Sequence, residues 1–195
     1  MMSLIVRFLG RLSLTAFVLM AVIPARAQVR PDSMEAALLR QSVQAVLGTS
    51  DPIMWHGIPV TEALRTSLHK KLKRRRPLPD TLFIGTIKTR DGLRYLIPDE
   101  APSRSEKFSF VLYLDEAGGV VDVDVLKYNE NYGAEIDYPL FRKQFLTRKK
   151  PKEIIFRRTI QNISGATISA RSLTYAVHDL LALVTAIGPN HLSAP

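Results

Sequence analysis

From Leu173 onward the apolar residues Leu173, Val177, Leu180, Leu181 and Val184 recur at spacings of four, three, one and three. That rhythm marks one face of an α-helix, and the small polar residues ahead of it set its start near Ser169. A second helical pattern runs over residues 33–47 through Met34, Ala37, Leu38, Gln41 and Ala45, with Gly48 as its stop. A third follows a loop containing Trp55. Pro59 suits its first position, and Val60, Leu64, Leu68 and Leu72 share one face. Pro77 and Pro79 end it, which puts the basic run from Lys70 to Arg76 in its last turn, where cations favour the helix dipole.

Between these helices the period falls to two. Residues 82–89 and 93–97 are rich in β-branched and aromatic side chains and flank the turn Arg90-Asp91-Gly92. Residues 108–114 and 120–128 form a second predicted hairpin around residues 115–119. In its second strand Val121, Val123 and Val125 alternate with Asp122 and Asp124, which predicts one buried face and one wet face carrying both carboxylates. A short helix is expected over residues 139–145, after a loop at 131–138 in which Gly133 permits a tight turn. Residues 154–156 read as a further short strand. This order of elements predicts an α+β fold: a mainly antiparallel sheet of hairpins packed with helices.

The first 27 residues change the organisation. Arg7 and Arg11 precede an apolar stretch at residues 12–23, and Ala25-Arg26-Ala27 is an A-x-A cleavage site, the pattern of an export signal. The apolar stretch is shorter than the roughly 20 residues of a spanning helix, which favours a cleaved signal over the alternative of a retained membrane anchor. The predicted divisions are therefore a signal peptide at 1–27, an N-terminal helical segment at 28–80, a core domain at 81–188 and a tail at 189–195. A periplasmic location follows from the export signal. Loss of Arg7, Arg11 and Arg26 with the signal lowers the net charge of the 195-residue chain from +9 to +6.

The remaining positive charge is clustered. Lys70, Lys71, Lys73, Arg74, Arg75 and Arg76 form one group; Arg142, Lys143, Arg148, Lys149, Lys150, Lys152, Arg157 and Arg158 form the other. Both suit an anionic membrane surface or an acidic partner, and both also suit a solvated surface. Export argues against nucleic acid as the partner. The chain has no cysteine, so disulfides, thiolate metal sites, Fe–S clusters and thioether-linked haem are excluded. His56, His69, His178 and His191 show no metal-ligand spacing, and no G-x-S-x-G or G-x-G-x-x-G string is present. Any redox chemistry requires a borrowed cofactor.

The candidate chemistry lies in Ile163-Ser164-Gly165-Ala166-Thr167-Ile168-Ser169, immediately before the C-terminal helix. A small, hydroxyl-rich turn at a helix start offers free backbone N–H groups and the positive dipole end to an anion. The same residues are ordinary helix-capping material. Ser164-Gly165-Ala166-Thr167 resembles the S/T-G-A-T/S motif of the FMN-binding domain family, which includes flavin subunits of sodium-pumping quinone reductases and Rnf-type complexes. Asn131-Tyr132-Gly133-Ala134-Glu135-Ile136, followed by Pro139, Phe141, Gln144 and Phe145, is similar to the family's upstream stretch. Together the similarity runs over residues 81–184.

The resemblance implies FMN as cofactor, with a flavin transferase joining its phosphate to Thr167 through a phosphoester. Ser164, Gly165, Ala166 and Ser169 would shape the phosphate end, with Tyr132 and Glu135 as ring-side candidates. The motif departs from the family at Gln161, where an acidic residue is usual, and this bears on covalent loading rather than on fold. The implied role is a periplasmic electron carrier or redox subunit, rather than a stand-alone enzyme, working between a membrane-bound oxidoreductase and another redox protein. The rival reading is a flavin-free assembly or sensory module that docks through its basic clusters.

Overall fold

The computed structural model describes residues 33–73 and 78–192. The candidate signal at 1–27 and Arg74, Arg75 and Arg76 of the first basic cluster lie outside the described residues. Five strands form one antiparallel meander in the order β1-β2-β3-β4-β5: β1 (Met54–Pro59), β2 (Thr81–Thr89), β3 (Gly92–Pro102), β4 (Lys107–Asp115) and β5 (Val120–Lys127). The fold is α+β, with α1 (Ser33–Leu47) on one face of the sheet and α4 (Thr167–Ile187) on the other. A seven-residue helix, α2 (Glu62–Leu68), packs beside α4. The short helix α3 (Pro139–Arg142) lies between 3-10 turns at Ala134–Asp137 and Lys143–Phe145. Among the described residues, no helix is long and apolar enough to cross a membrane.

The period-2 pattern of β4 serves both layers. Phe108, Phe110, Leu112 and Leu114 join the core under α4, against Leu173, Val177, Leu180, Leu181 and Val184. Val111 and Tyr113 point the other way, with Leu39 and Val43 of α1. The Ser42 hydroxyl meets the Tyr113 hydroxyl at 2.7 Å and fixes α1 on the sheet, while burial raises the Tyr113 phenol above its ordinary pKa. All five apolar positions that predicted the last helix are buried.

Several expectations are corrected. Trp55 lies on β1, paired with Gly85 of β2, rather than in a loop. Pro59 closes β1 and Thr61 caps α2, its hydroxyl accepting from Leu64 N at 3.3 Å. That helix ends at Leu68, so Lys70, Lys71 and Lys73 follow it instead of occupying its last turn. Residues 154–156 form no strand; Phe156 makes a single bridge with Ile160. The last helix begins at Thr167, slightly ahead of the expected start at Ser169.

Asp122 and Asp124 are not on a wet face. They stand opposite Tyr113 and Val111, on the side covered by α1. Arg142 of α3 folds over the strand to pair with Asp122 Oδ2 and Asp124 Oδ1, each at 2.5 Å, and with Asp137 Oδ1 at 3.2 Å. Each carboxylate of the strand keeps about a fifth or less of its exposure, 21% for Asp122 and 16% for Asp124. One guanidinium thus balances three acids, and burial leaves the Asp137 carboxyl raised from its ordinary value despite that pairing.

Candidate functional site

Three segments distant in sequence meet at one end of the sheet: the β3–β4 turn, the loop after β5, and the start of α4. They enclose an open cavity of about 690 Å³ lined by Ser103, Arg104, Ser105, residues 129–133 and residues 165–169. Its volume lies in the range of small-molecule and cofactor sites. Tyr132 is 80% exposed and Ile168 41% exposed, so the cavity presents apolar surface to solvent.

The start of α4 is uncapped. Ala166 holds the N-cap position with φ −118° and ψ 25° and makes no side-chain cap hydrogen bond. Its methyl group cannot cap, and the hydroxyls of Thr167 and Ser169 bond to Asn162 and Tyr128 instead. The Ala170 N–H reaches back to Ala166 O at 2.8 Å, which begins the helical ladder. The N–H groups of Thr167, Ile168 and Ser169 precede that ladder, at the positive end of a 21-residue helix and along the cavity wall.

A residue unremarked in the sequence organises this end. Tyr128, just beyond β5, places its hydroxyl 2.8 Å from Tyr132 O, 2.8 Å from Ser169 Oγ and 3.1 Å from Ser103 Oγ. It hydrogen-bonds the loop to α4 and touches the β3–β4 turn at Ser103, whose own proton goes to Glu130. The Tyr132 carbonyl can only accept, so it takes the phenol's single proton, and Ser169 must then donate to Tyr128. Ser169 is buried, and its proton is spent inward rather than offered to a ligand. Gly133 has φ 99°, and a Cβ there would collide with the Tyr128 hydroxyl. The β3–β4 turn is held similarly: the Glu130 carboxylate accepts from Ser105 N and Glu106 N, both at 2.8 Å. Bonds from the Ser103 hydroxyl and these amides keep the Glu130 carboxyl below its ordinary range.

Of the residues singled out from sequence, Tyr132, Gly165, Ala166, Thr167 and Ser169 line the cavity together. Ser164 and Glu135 are not among its lining residues. Gly165 (φ 85°) turns its open side to Glu135, not to the cavity, since a Cβ there would lie 2.8 Å from Glu135 Oε1. Glu135 Oε2 is buried without a hydrogen-bond partner among the described residues. Gln161 points away from the turn: its Nε2 donates to Arg158 O at 3.2 Å, and its N–H donates to Gln144 Oε1 at 2.6 Å. Its neighbour Asn162 donates from Nδ2 to Thr167 Oγ1 at 2.8 Å. Sequence reading missed Tyr128, Asn162, Arg104 and Glu130. Tyr128 had one available signal, an aromatic residue ending a strand five positions before a glycine.

The basic clusters are less available than their sequence suggests. Arg142 is committed to the aspartates, and Arg148 donates to Gln144 O at 2.7 Å and Thr159 O at 3.3 Å. His178 is buried on α4, its Nδ1 2.8 Å from Asp179 Oδ1. Among the described residues, no group of three or more acidic or histidine side chains is placed to hold a metal.

Residues 105–182 match the model of the FMN-binding domain family, and that match indicates FMN as the cofactor. The span takes in β4, β5, the 129–133 loop and the start of α4. A solved structure of similar fold is that of a subunit of the Na(+)-translocating NADH-quinone reductase from Parabacteroides distasonis, with a TM-score of 0.53 at 9% identity. The alignment covers 83% of this chain and 95% of that one. No curated protein matches the chain.

Proposed function

We propose that this chain is an exported electron-transfer protein that carries FMN in the cavity between the 129–133 loop and α4, its phosphate joined to Thr167 as a phosphoester. The observation that carries the proposal is the uncapped start of α4: Thr167 and its neighbouring N–H groups line a cofactor-sized cavity inside the span that matches the FMN-binding domain. The residues fit the group. Backbone N–H groups at residues 167–169 would hold the phosphate, and Arg104 of the β3–β4 turn adds positive charge to the cavity lining. Tyr132 and Ile168 offer apolar surface at the ring end.

FMN, when bound, supplies reversible acceptance of electrons. The chain supplies its position. Tyr128 fixes the loop that carries Tyr132 relative to α4, and Glu130 fixes the β3–β4 turn that carries Arg104. The chain is then a carrier that exchanges electrons with a membrane-bound oxidoreductase and a redox partner. On this reading, export through residues 1–27 delivers the protein to the periplasm, where a flavin transferase is the loading partner. Lys70, Lys71 and the surface lysines of the second cluster remain for an anionic membrane or acidic partner.

The test is the intact mass of the exported protein made beside a periplasmic flavin transferase, followed by sequencing of the modified peptide. An FMN phosphoester at Thr167, absent in Thr167→Ala, is expected. The same mass reports cleavage after Ala27. A colourless, unmodified wild-type protein would refute covalent attachment and favour the flavin-free docking module.

A further inference from the structure

The hydroxyl of Thr167 has one polar side-chain partner among the described residues, Asn162, five positions earlier and across the turn. Both neighbours of Asn162 are fixed. Gln161 is clamped through its N–H to Gln144 Oε1 at 2.6 Å, while its carbonyl accepts from Gln144 Nε2 at 3.4 Å. Ile163 packs against the core, and its carbonyl accepts from Ala166 N at 3.3 Å, closing the turn. Gly165, with φ 85°, supplies the reversal that brings residue 162 back over residue 167. An exposed amide is therefore delivered to one oxygen by a backbone anchored on both sides.

Resting on the reading of Thr167 as the attachment point, we infer that Asn162 is a positioning residue for phosphoester formation, setting the direction of the Thr167 lone pairs and proton. The Asn162 amide nitrogen only donates, so it occupies one lone pair of Oγ1 and turns the hydroxyl proton away from itself. One lone pair stays free. In the loading step Oγ1 attacks the flavin-side phosphorus of a flavin dinucleotide. The Oγ1–P bond forms, the P–O bond of the phosphoanhydride breaks, and AMP leaves with that electron pair. The Thr167 proton passes to a base of the flavin transferase, and nothing is oxidised or reduced. The polar contact to Thr167 thus comes from residue 162, while residue 161, where related motifs carry an acid, is tied back to Gln144 and Arg158.

The experiment uses the full chain, purified without flavin and supplied with flavin transferase and FAD, with initial loading rates read by intact mass. Asn162→Ala is expected to lower kcat about fivefold, the effect of one lost hydrogen bond of ordinary strength. KM for the chain and its thermal midpoint stay unchanged, because the amide acts on the attacking oxygen and supports no core contact. Asn162→Asp, which accepts where Asn donates, does not restore the rate. Wild-type kcat in either variant overturns the inference while leaving Thr167 as the attachment point. A loss that appears only in KM or in the midpoint also overturns it. If the wild-type chain takes no FMN at Thr167, the attachment reading itself fails, and this inference with it.

Discussion

Removing the Tyr128 hydroxyl tests whether the cavity is held as one unit. In Tyr128→Phe the Tyr132 carbonyl, on a residue 80% exposed, finds water at little cost. Ser169 is 3% exposed and loses the acceptor for its proton. A buried hydroxyl left unpaired costs about 1–2 kcal/mol, and at this chain size each kcal/mol lowers the midpoint by about 2–4 °C. Gly133→Ala is worse. It forces a side chain onto φ 99°, at about 1–2 kcal/mol, and drives the new methyl into the Tyr128 hydroxyl, at about 1–3 kcal/mol more. The two changes must then couple, because deleting the hydroxyl removes the atom with which the methyl collides. The double variant is expected to be more stable than the sum of the singles by at least about 1 kcal/mol, measured by urea unfolding of the flavin-free protein. FMN titration followed by fluorescence quenching should show weaker binding in both singles. Additivity within about 0.5 kcal/mol would refute the contact between residue 133 and the Tyr128 hydroxyl.

Arg142→Met leaves Asp122, Asp124 and Asp137 facing one another with no cation. Breaking a buried pair costs about 3–5 kcal/mol. Partial exposure of these groups reduces that to about 2–3 kcal/mol, a fall of roughly 5–10 °C in the thermal midpoint; an unchanged midpoint would show the cluster to be solvated. Glu130 predicts a dependence on acid. Its folded pKa lies below the ordinary 4.5, so its hold on the turn is complete above that value and is lost as pH falls through the folded pKa. Ser105 and Glu106 amides should lose hydrogen-exchange protection progressively as pH is lowered through the acid range below 4.5, after correction for intrinsic rates, and Glu130→Gln should lack it throughout; protection that stays flat until the protein unfolds would sink the assignment.

The hairpins and the last helix were legible because each carries its own period. Residues 108–114 alternate, and residues 173–184 repeat at helical spacing whatever lies beside them. Asp122 and Asp124 misled because alternation says which residues share a face, not what covers it. Here α1, nearly eighty positions earlier, and Arg142, about twenty later, both arrive on the face that the carboxylates seemed to give to water. Pro59 misled for a local reason: it fits both the last position of an edge strand and the first of a helix, and Thr61 captured the helix start. Basic clusters failed as a measure of surface charge because Arg142 and Arg148 bond inward.

The site was half legible for a related reason. Ser164-Gly165-Ala166-Thr167 is contiguous and could be recognised, yet its hydroxyls have unlike roles once the chain is folded. Ser169 donates inward to Tyr128, Thr167 accepts from Asn162, and Ala166, at the N-cap with no polar group in its side chain, leaves the first helix amides without its cap. A serine at residue 166 would be the better helix cap and would compete for those same N–H groups. The alanine therefore marks the point where helix stability is given up, by about 1 kcal/mol on the usual cost of an absent cap, and that amount is available to an anion that takes the amides instead.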